Sequence, residues 1–168
     1  PQKRGPLASQ GFDPMSPRHQ VLQFKVQLRG IKPVIWRRIE VPASYTFWDL
    51  HVAIQDAMGW LDYHLHVFRI RDSLTRAEAA IGIPDPEPFD GAPDCLPGWN
   101  VRVTAYLSEV GQRARYDYDF GDGWEHDLKI EKVLTPEPGR RYPRCTAGKR
   151  ACPPDDCGGP WGYEHLLE

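Results

Sequence analysis

Between Tyr116 and Ile130 two runs of alternating side chains flank a glycine-bounded gap. Tyr116, Tyr118 and Phe120 alternate with Asp117 and Asp119. After Gly121-Asp-Gly123, Trp124, His126, Leu128 and Ile130 alternate with Glu125, Asp127 and Lys129. A period of two belongs to a strand whose faces meet different surroundings, so residues 116–133 are expected to form a β-hairpin. A three-residue loop pairs Phe120 with Trp124 and keeps both apolar sets on one face. A two-residue Asp-Gly turn would set Phe120 against Glu125 and mix the faces. The three-residue loop wants a left-handed residue at its end, which Gly123 supplies. One face is then aromatic and carries His126. The other is acidic, with Asp117, Asp119, Glu125 and Asp127.

The upstream half builds the rest of the fold. Leu22, Phe24, Val26 and Leu28 alternate with Val21, Gln23, Lys25 and Gln27, a strand pattern. After Gly30-Ile-Lys-Pro33, residues 34–41 read as a second strand that Pro42 ends. Thr46 and Asp49 form a variant capping box. Phe47, Leu50, Ile54, Ala57 and Met58 then share one helical face, and Gly59 suits the C-terminal cap. Residues 65–71 are a third strand, and residues 101–107 fit a short strand or a helix. Prolines and glycines gather in residues 83–98 and 135–160, which read as irregular.

The expected fold is therefore α+β, one domain over residues 20–168. A strand–strand–helix–strand unit packs with the C-terminal hairpin, and the Cys/Pro/Gly-rich loop lies over one edge. Trp36, Trp60, Phe68, Tyr118, Phe120, Trp124 and Leu128 are the expected core. Residues 1–19 are polar and rich in proline and glycine, the composition of a disordered arm. Leu166-Leu167-Glu168 reads as the first turns of a helix whose end is expected to be lacking.

The 168 residues suit one domain with its own core. A net charge of −2 gives no overall attraction to nucleic acid or membranes, so any such binding needs a local patch. No apolar run approaches the roughly 20 residues of a membrane span, and the first ten residues lack a signal-peptide apolar region. A cytoplasmic protein is expected, and its four cysteines are then thiols or metal ligands.

Four constellations can carry chemistry. Cys145-x6-Cys152-x4-Cys157 offers three thiolates to zinc, with His126, His165, His64 or His66 as the fourth ligand. In the plainer reading these cysteines are small buried hydrophobes, and His126 bonds a backbone carbonyl. His64 and His66 share one strand face, where they either chelate a metal or line the core. The acidic hairpin face suits general acid–base work or Mg²⁺, or is simply solvated. Arg140, Arg141, Arg144, Lys149 and Arg150, interleaved with Tyr142, form a basic cluster, and Lys32, Arg37 and Arg38 a smaller one. Such clusters contact nucleic acid or lie in solvated loops. No Gly-x-Ser-x-Gly elbow or P-loop occurs, and Asp119-Phe-Gly121 lacks every other kinase element.

Several separated motifs, in order, resemble the plasmid pRiA4b ORF-3-like family. They are Gly30-Ile-Lys-Pro-Val-Ile-Trp-Arg-Arg38, Ala57-Met-Gly-Trp60 with His64-Leu-His66, Tyr116-Asp-Tyr-Asp-Phe-Gly-Asp-Gly-Trp-Glu-His126, and the run from Pro143-Arg-Cys145 to Tyr163. Its members also go by insertion-sequence passenger proteins of TnpR type. Asp155 stands where many relatives carry Glu. The resemblance implies an α+β domain of plasmids, mobile elements and chromosomes, with no catalytic residues to carry over. It does not supply a recombinase site: Ser9, Ser16, Ser44, Ser73 and Ser108 have no recombinase-like arginine setting.

The expected function is a non-enzymatic binding or accessory module of mobile elements. Its ligand surface is expected where the hairpin meets the Cys loop, on Asp119, Asp122, Trp124, His126, Arg144, Cys145, Asp156 and Trp161. The alternative is nucleic-acid binding through the basic cluster. A third reading is a metal-dependent hydrolase built on His64, His66, His126 and the carboxylates. Nucleic acid or another mobile-element protein is the expected partner.

Overall fold

The structure is a computed structural model that describes residues 19–72, 75–87 and 94–168. The arm expected over residues 1–19 lies, His19 apart, outside the described residues. Ten regular elements follow in order: β1 (Val21–Leu28), β2 (Trp36–Pro42), α1 (Phe47–Met58), β3 (His66–Arg71), β4 (Glu78–Gly82), β5 (Cys95–Pro97), β6 (Arg113–Tyr118), β7 (Trp124–Leu134), β8 (Arg144–Lys149) and α2 (Gly159–Leu166). The strands form one eight-stranded sheet in the order β5-β4-β3-β6-β7-β1-β2-β8. Every pairing is antiparallel except β4 with β5. The fold is α+β and a single domain, as the sequence predicts.

Helix α1 forms where the local signals place it. Asp49 N–H donates to Thr46 Oγ1 at 3.2 Å, and Thr46 N–H donates to Asp49 Oδ2 at 2.8 Å. Gly59 ends the helix in the left-handed region at φ +80°. Phe47, Leu50, Ile54 and Met58 are buried, and Phe47 packs on Phe68 of β3 with ring centroids 5.1 Å apart. The helix thus covers the aromatic face of the sheet, whose Tyr116, Tyr118, Trp124, His126, Leu128 and Ile130 are all buried.

The hairpin register departs from expectation. Tyr118, not Phe120, pairs with Trp124, which leaves a five-residue loop over residues 119–123. Phe120 is 59% exposed and is not core. The cause is Asp119, which leaves the strand at φ +53°. Its Oδ1 accepts from the Gly121 and Asp122 amides at 3.0 and 3.2 Å, and its own N–H donates to the Leu65 carbonyl. The Asp119 side chain's bonds to its own loop favour ending the strand at Tyr118 and shift the register by two residues. A shift of two residues preserves parity, so the aromatic face survives.

Trp36 is also outside the core and half-buried. It shares parity with Arg38 and Glu40, while Ile35, Ile39 and Val41 point inward. Lys25 and Arg38 lie over its ring at 5.4 and 5.2 Å. Part of the segment expected to be irregular is strand β8, which pairs with β2 from Trp36↔Lys149 to Glu40↔Arg144. Residues 101–107 include a short 3₁₀ turn, Val103–Ala105.

Candidate functional site

Three segments distant in sequence meet beside the hairpin tip: residues 60–64 after α1, residues 119–123 between β6 and β7, and residues 153–159 before α2. Trp60 Nε1–H donates to the Pro153 carbonyl at 2.9 Å, and Leu61 N–H to Asp155 Oδ2 at 2.9 Å. Gly158 N–H donates to Asp122 Oδ2 at 3.0 Å. Gly159 lies so close to the loop that a Cβ there would sit 2.2 Å from the Asp122 carbonyl oxygen.

At the centre of this junction stand His64, Asp119 and Asp156. His64 Nε2 is 2.8 Å from Asp156 Oδ1 and 3.4 Å from Asp119 Oδ2. The three ligand-type atoms all lie within 4.8 Å of one another, the one such group among the described residues. The site grades from a buried floor to an open mouth: the side chains of Asp119, His64 and Asp156 are 9%, 30% and 65% exposed. Asp119 and Asp156 both hold positive φ, at +53° and +55°, a conformation that aspartate tolerates better than most residues. Tyr118 supports the first segment from below, its hydroxyl accepting from Tyr63 N–H at 3.2 Å. Burial pushes the Tyr118 hydroxyl pKa up to about 12, so it stays a neutral hydroxyl.

Beneath the junction lies an aromatic floor. Trp60 stacks on Tyr118 with centroids 5.1 Å apart, and His126 meets the Trp60 ring edge-on at 5.2 Å. His126 is fully buried and its Nδ1–H donates to the Tyr116 carbonyl at 3.1 Å. Burial lowers its pKa to about 4, which keeps the ring neutral. Trp124 is fully buried in the same floor, 5.9 Å from Trp60.

The structure therefore brings Asp119, Asp122 and Asp156 together, with Trp124 and His126 below them. Trp161 lies on α2, 71% exposed. Arg144 lies on β8, 3.5 Å from Glu40 of β2. Cys145 is exposed on β8, Cys152 Sγ contacts Met58 Sδ at 3.4 Å, and Cys157 is half-buried. All three are free thiols and are not gathered with His126 into a ligand group. The backbone-bonded His126 matches the plainer of its two sequence readings. His64 and His66 part company, because β3 begins at His66 and carries that ring into the core, 2% exposed. A centre built on His64, His66 and His126 is not assembled.

The basic cluster is partly neutralised. Arg140 pairs with Glu137, Arg144 with Glu40, and Arg150 donates to the Pro33 carbonyl. Arg38 pairs with Glu131, and Arg37 donates to the Ala57 carbonyl. On the sheet face opposite α1, the carboxylates also have partners: Asp117 bonds Arg69 at 3.0 Å, and Glu125 lies 3.6 Å from Arg29. That face is a solvated ion-pair surface. The sequence offers His64 as half of a chelating pair, as an optional fourth ligand to the cysteines and as part of a hydrolase centre, and marks Asp155 as a family departure. Nothing in local periodicity says that residues 61–64 and 155–156 meet.

Sheet, helix and junction define a small α+β domain with a His–carboxylate cluster beside its hairpin tip. The chain belongs to the plasmid pRiA4b ORF-3-like protein family, which matches residues 20–168. It is 39% identical over 149 residues to the uncharacterized protein y4hQ of Sinorhizobium fredii, covering 88% of this chain and 72% of that one. It is also similar to the crystal structure of MM3350, a protein of unknown function from Methanosarcina mazei Go1. The TM-score is 0.79 and the identity 42%, over 88% of this chain and 79% of that one. Among the described residues no helix is long and apolar enough to cross a membrane.

Proposed function

We propose that this domain is a non-enzymatic binding module and that the junction of residues 60–64, 119–123 and 153–159 takes a cationic ligand. One observation carries the reading. The three segments hold five aspartates, Asp62, Asp119, Asp122, Asp155 and Asp156, and neither Lys nor Arg. Carboxylates brought this close repel one another and attract positive charge. Tyr63 and Phe120 within the segments and Trp161 just after the third, exposed by 70%, 59% and 71%, offer ring faces to a cation. An accessory role on a mobile element is consistent with the family's plasmid name. Nucleic-acid binding is the weaker reading, because the junction repels phosphate and Arg140 and Arg144 already have carboxylate partners.

Backbone amide NMR titration tests this directly. The probes are spermidine and Mn²⁺ or Zn²⁺ as cations, with inorganic phosphate and a single-stranded oligonucleotide as anions. Cationic probes should perturb residues 61–65, 119–123 and 155–159. Perturbation by the oligonucleotide alone, confined to residues 140–150 and lost in Arg144→Glu, would replace this reading with the nucleic-acid one.

A further inference from the structure

We propose that His64 Nε2, Asp119 Oδ2 and Asp156 Oδ1 coordinate one divalent first-row transition-metal ion of the zinc or manganese type. The inference rests on the reading of the junction as a cation site and names the cation.

Spacing is the first argument. Ligands held about 2.1 Å from a tetrahedral ion lie roughly 3.4 Å from each other. His64 Nε2 and Asp119 Oδ2 are 3.4 Å apart, His64 Nε2 and Asp156 Oδ1 are 2.8 Å apart, and all three atoms fall within 4.8 Å. Small side-chain rotations bring them around one ion.

Asp119 is the second and independent argument. Its side chain is nine-tenths buried. Oδ1 is saturated by the Gly121 and Asp122 amides. Oδ2 is the oxygen turned to the cluster, 3.4 Å from the His64 ring nitrogen. A carboxylate side chain this deep is costly to hold charged beside Asp156, and an ion bound between the two compensates them more fully than one shared imidazole. The bond pattern matches a ligand held from behind: one oxygen anchored by backbone amides, the other left to bind.

The surrounding residues act as an outer support. Asp122 and Asp155 each accept through one carboxylate oxygen from a backbone amide of the opposite segment, Gly158 and Leu61, and so fix the relative positions of the three ligands. Tyr118 holds Tyr63 N–H and sets its ring edge-on to His64 at 5.8 Å. On the solvent side Asp156 is exposed, so the ion enters there and keeps positions for water or a further ligand. Three protein ligands leave the ion an open position for water or a further ligand, unlike the closed four-ligand set of a structural zinc. One imidazole nitrogen and two carboxylate oxygens, with no thiolate, favour Zn²⁺, Mn²⁺, Fe²⁺ or Co²⁺. An all-oxygen set would suit Ca²⁺ or Mg²⁺, and thiolates would suit Cu⁺.

The test is calorimetric titration of the full chain, stripped with chelator and free of any metal-affinity tag, with Zn²⁺, Mn²⁺, Ca²⁺ and Mg²⁺. Visible spectra of the Co²⁺ form report the ligand field. One ion per chain is expected, with Zn²⁺ bound more tightly than Ca²⁺ or Mg²⁺. His64→Asn and Asp156→Asn, both at exposed or half-exposed positions, should each weaken binding by more than about 100-fold and alter the Co²⁺ spectrum. Asp119→Asn should do the same, since Asn still accepts the loop amides. Cys145→Ser should change nothing. Transition-metal binding that survives His64→Asn and Asp156→Asn, or that is lost in Cys145→Ser, overturns the assignment. Spermidine binding at the junction without Zn²⁺ or Mn²⁺ binding overturns it too and leaves the cation-binding function standing. Failure of both probes removes both.

Discussion

The imidazole rings of His51 and His66 lie face to face in the core, with centroids 3.5 Å apart and planes 8° from parallel. His51 is fully bonded. Gln55 Nε2–H donates to the Tyr116 hydroxyl at 2.9 Å, that hydroxyl lies 2.8 Å from His51 Nδ1, and His51 Nε2 lies 2.7 Å from Asp62 Oδ1. The consistent proton order is a tyrosine O–H given to Nδ1 and an Nε2–H given to the carboxylate. His66 has no such partners, and both of its ring nitrogens are buried and unbonded. Burial, and then the His51 charge, lower the His66 pKa to about 3, and burial lowers that of His51 despite Asp62.

Acid should therefore unfold this domain through its histidines. The folded pKa values of His66 and His126, about 3 and about 4, lie below the ordinary 6.5. Between those values the unfolded chain binds more protons than the folded one, so stability is complete above pH 6.5 and falls as pH drops towards 4. For His126 alone the gap corresponds to about 3 kcal/mol. Urea unfolding at pH 7.5, 6, 5 and 4.5 should show this slope, and His126→Phe should reduce it while His66 keeps the remainder. A free energy that is level across that range would contradict the buried neutral assignment.

The cysteines should differ sharply in reactivity. Cys145 is exposed on β8, whereas Cys152 is packed on Met58 and burial raises its thiol pKa. Thiolate is the reactive form. Timed alkylation followed by peptide mass spectrometry should label Cys145 first and Cys152 well after it. Equal rates would mean that β8 and the segment after it open together.

Gly159 is the tightest link in the junction. It holds φ +69°, and a Cβ there would strike the Asp122 carbonyl oxygen at 2.2 Å. Gly159→Ala should destabilise the domain by about 2 kcal/mol or more, as steric and backbone strain combine. Gly158→Ala meets nothing closer than 3.5 Å and should cost about 1 kcal/mol, the left-handed penalty alone. Thermal or denaturant unfolding of the pair checks this, and equal losses would argue against the close approach.

The capping box is a local test of α1. Thr46→Ala removes the side-chain acceptor of the Asp49 amide and should destabilise by about 1 kcal/mol. The loss should appear in equilibrium unfolding without a change in denaturant slope, because the exposed surface on unfolding is the same.

What was legible in the sequence depended on the range of the interaction. The caps of α1 are contacts over three or four residues, so Thr46, Asp49 and Gly59 reveal them directly. The hairpin and its aromatic face follow from a period of two. Its loop length does not, since a shift of two residues leaves every face unchanged, and the decision fell to the Asp119 bonds to Gly121, Asp122 and Leu65. Trp36 lies outside the core because its strand parity with Arg38 outweighs its aromatic character. Strand β8 is not legible locally, because its partner β2 lies about a hundred residues upstream and its own composition is that of a loop.

The sequence by itself determined the α+β class, the helix and its ends, the polarity of β1 and of the hairpin faces, and the two aspartates of the hairpin loop. These follow from local hydrogen bonding and from the side-chain period of helix and strand. Only the tertiary structure decided that His64 joins Asp119 and Asp156 while His66 turns into the core against His51. It also decided that Cys145, Cys152, Cys157 and His126 stand apart. Such choices rest on which distant segments pack together, and packing is set by the shape and burial of the whole sheet and helix, which no run of neighbouring residues encodes.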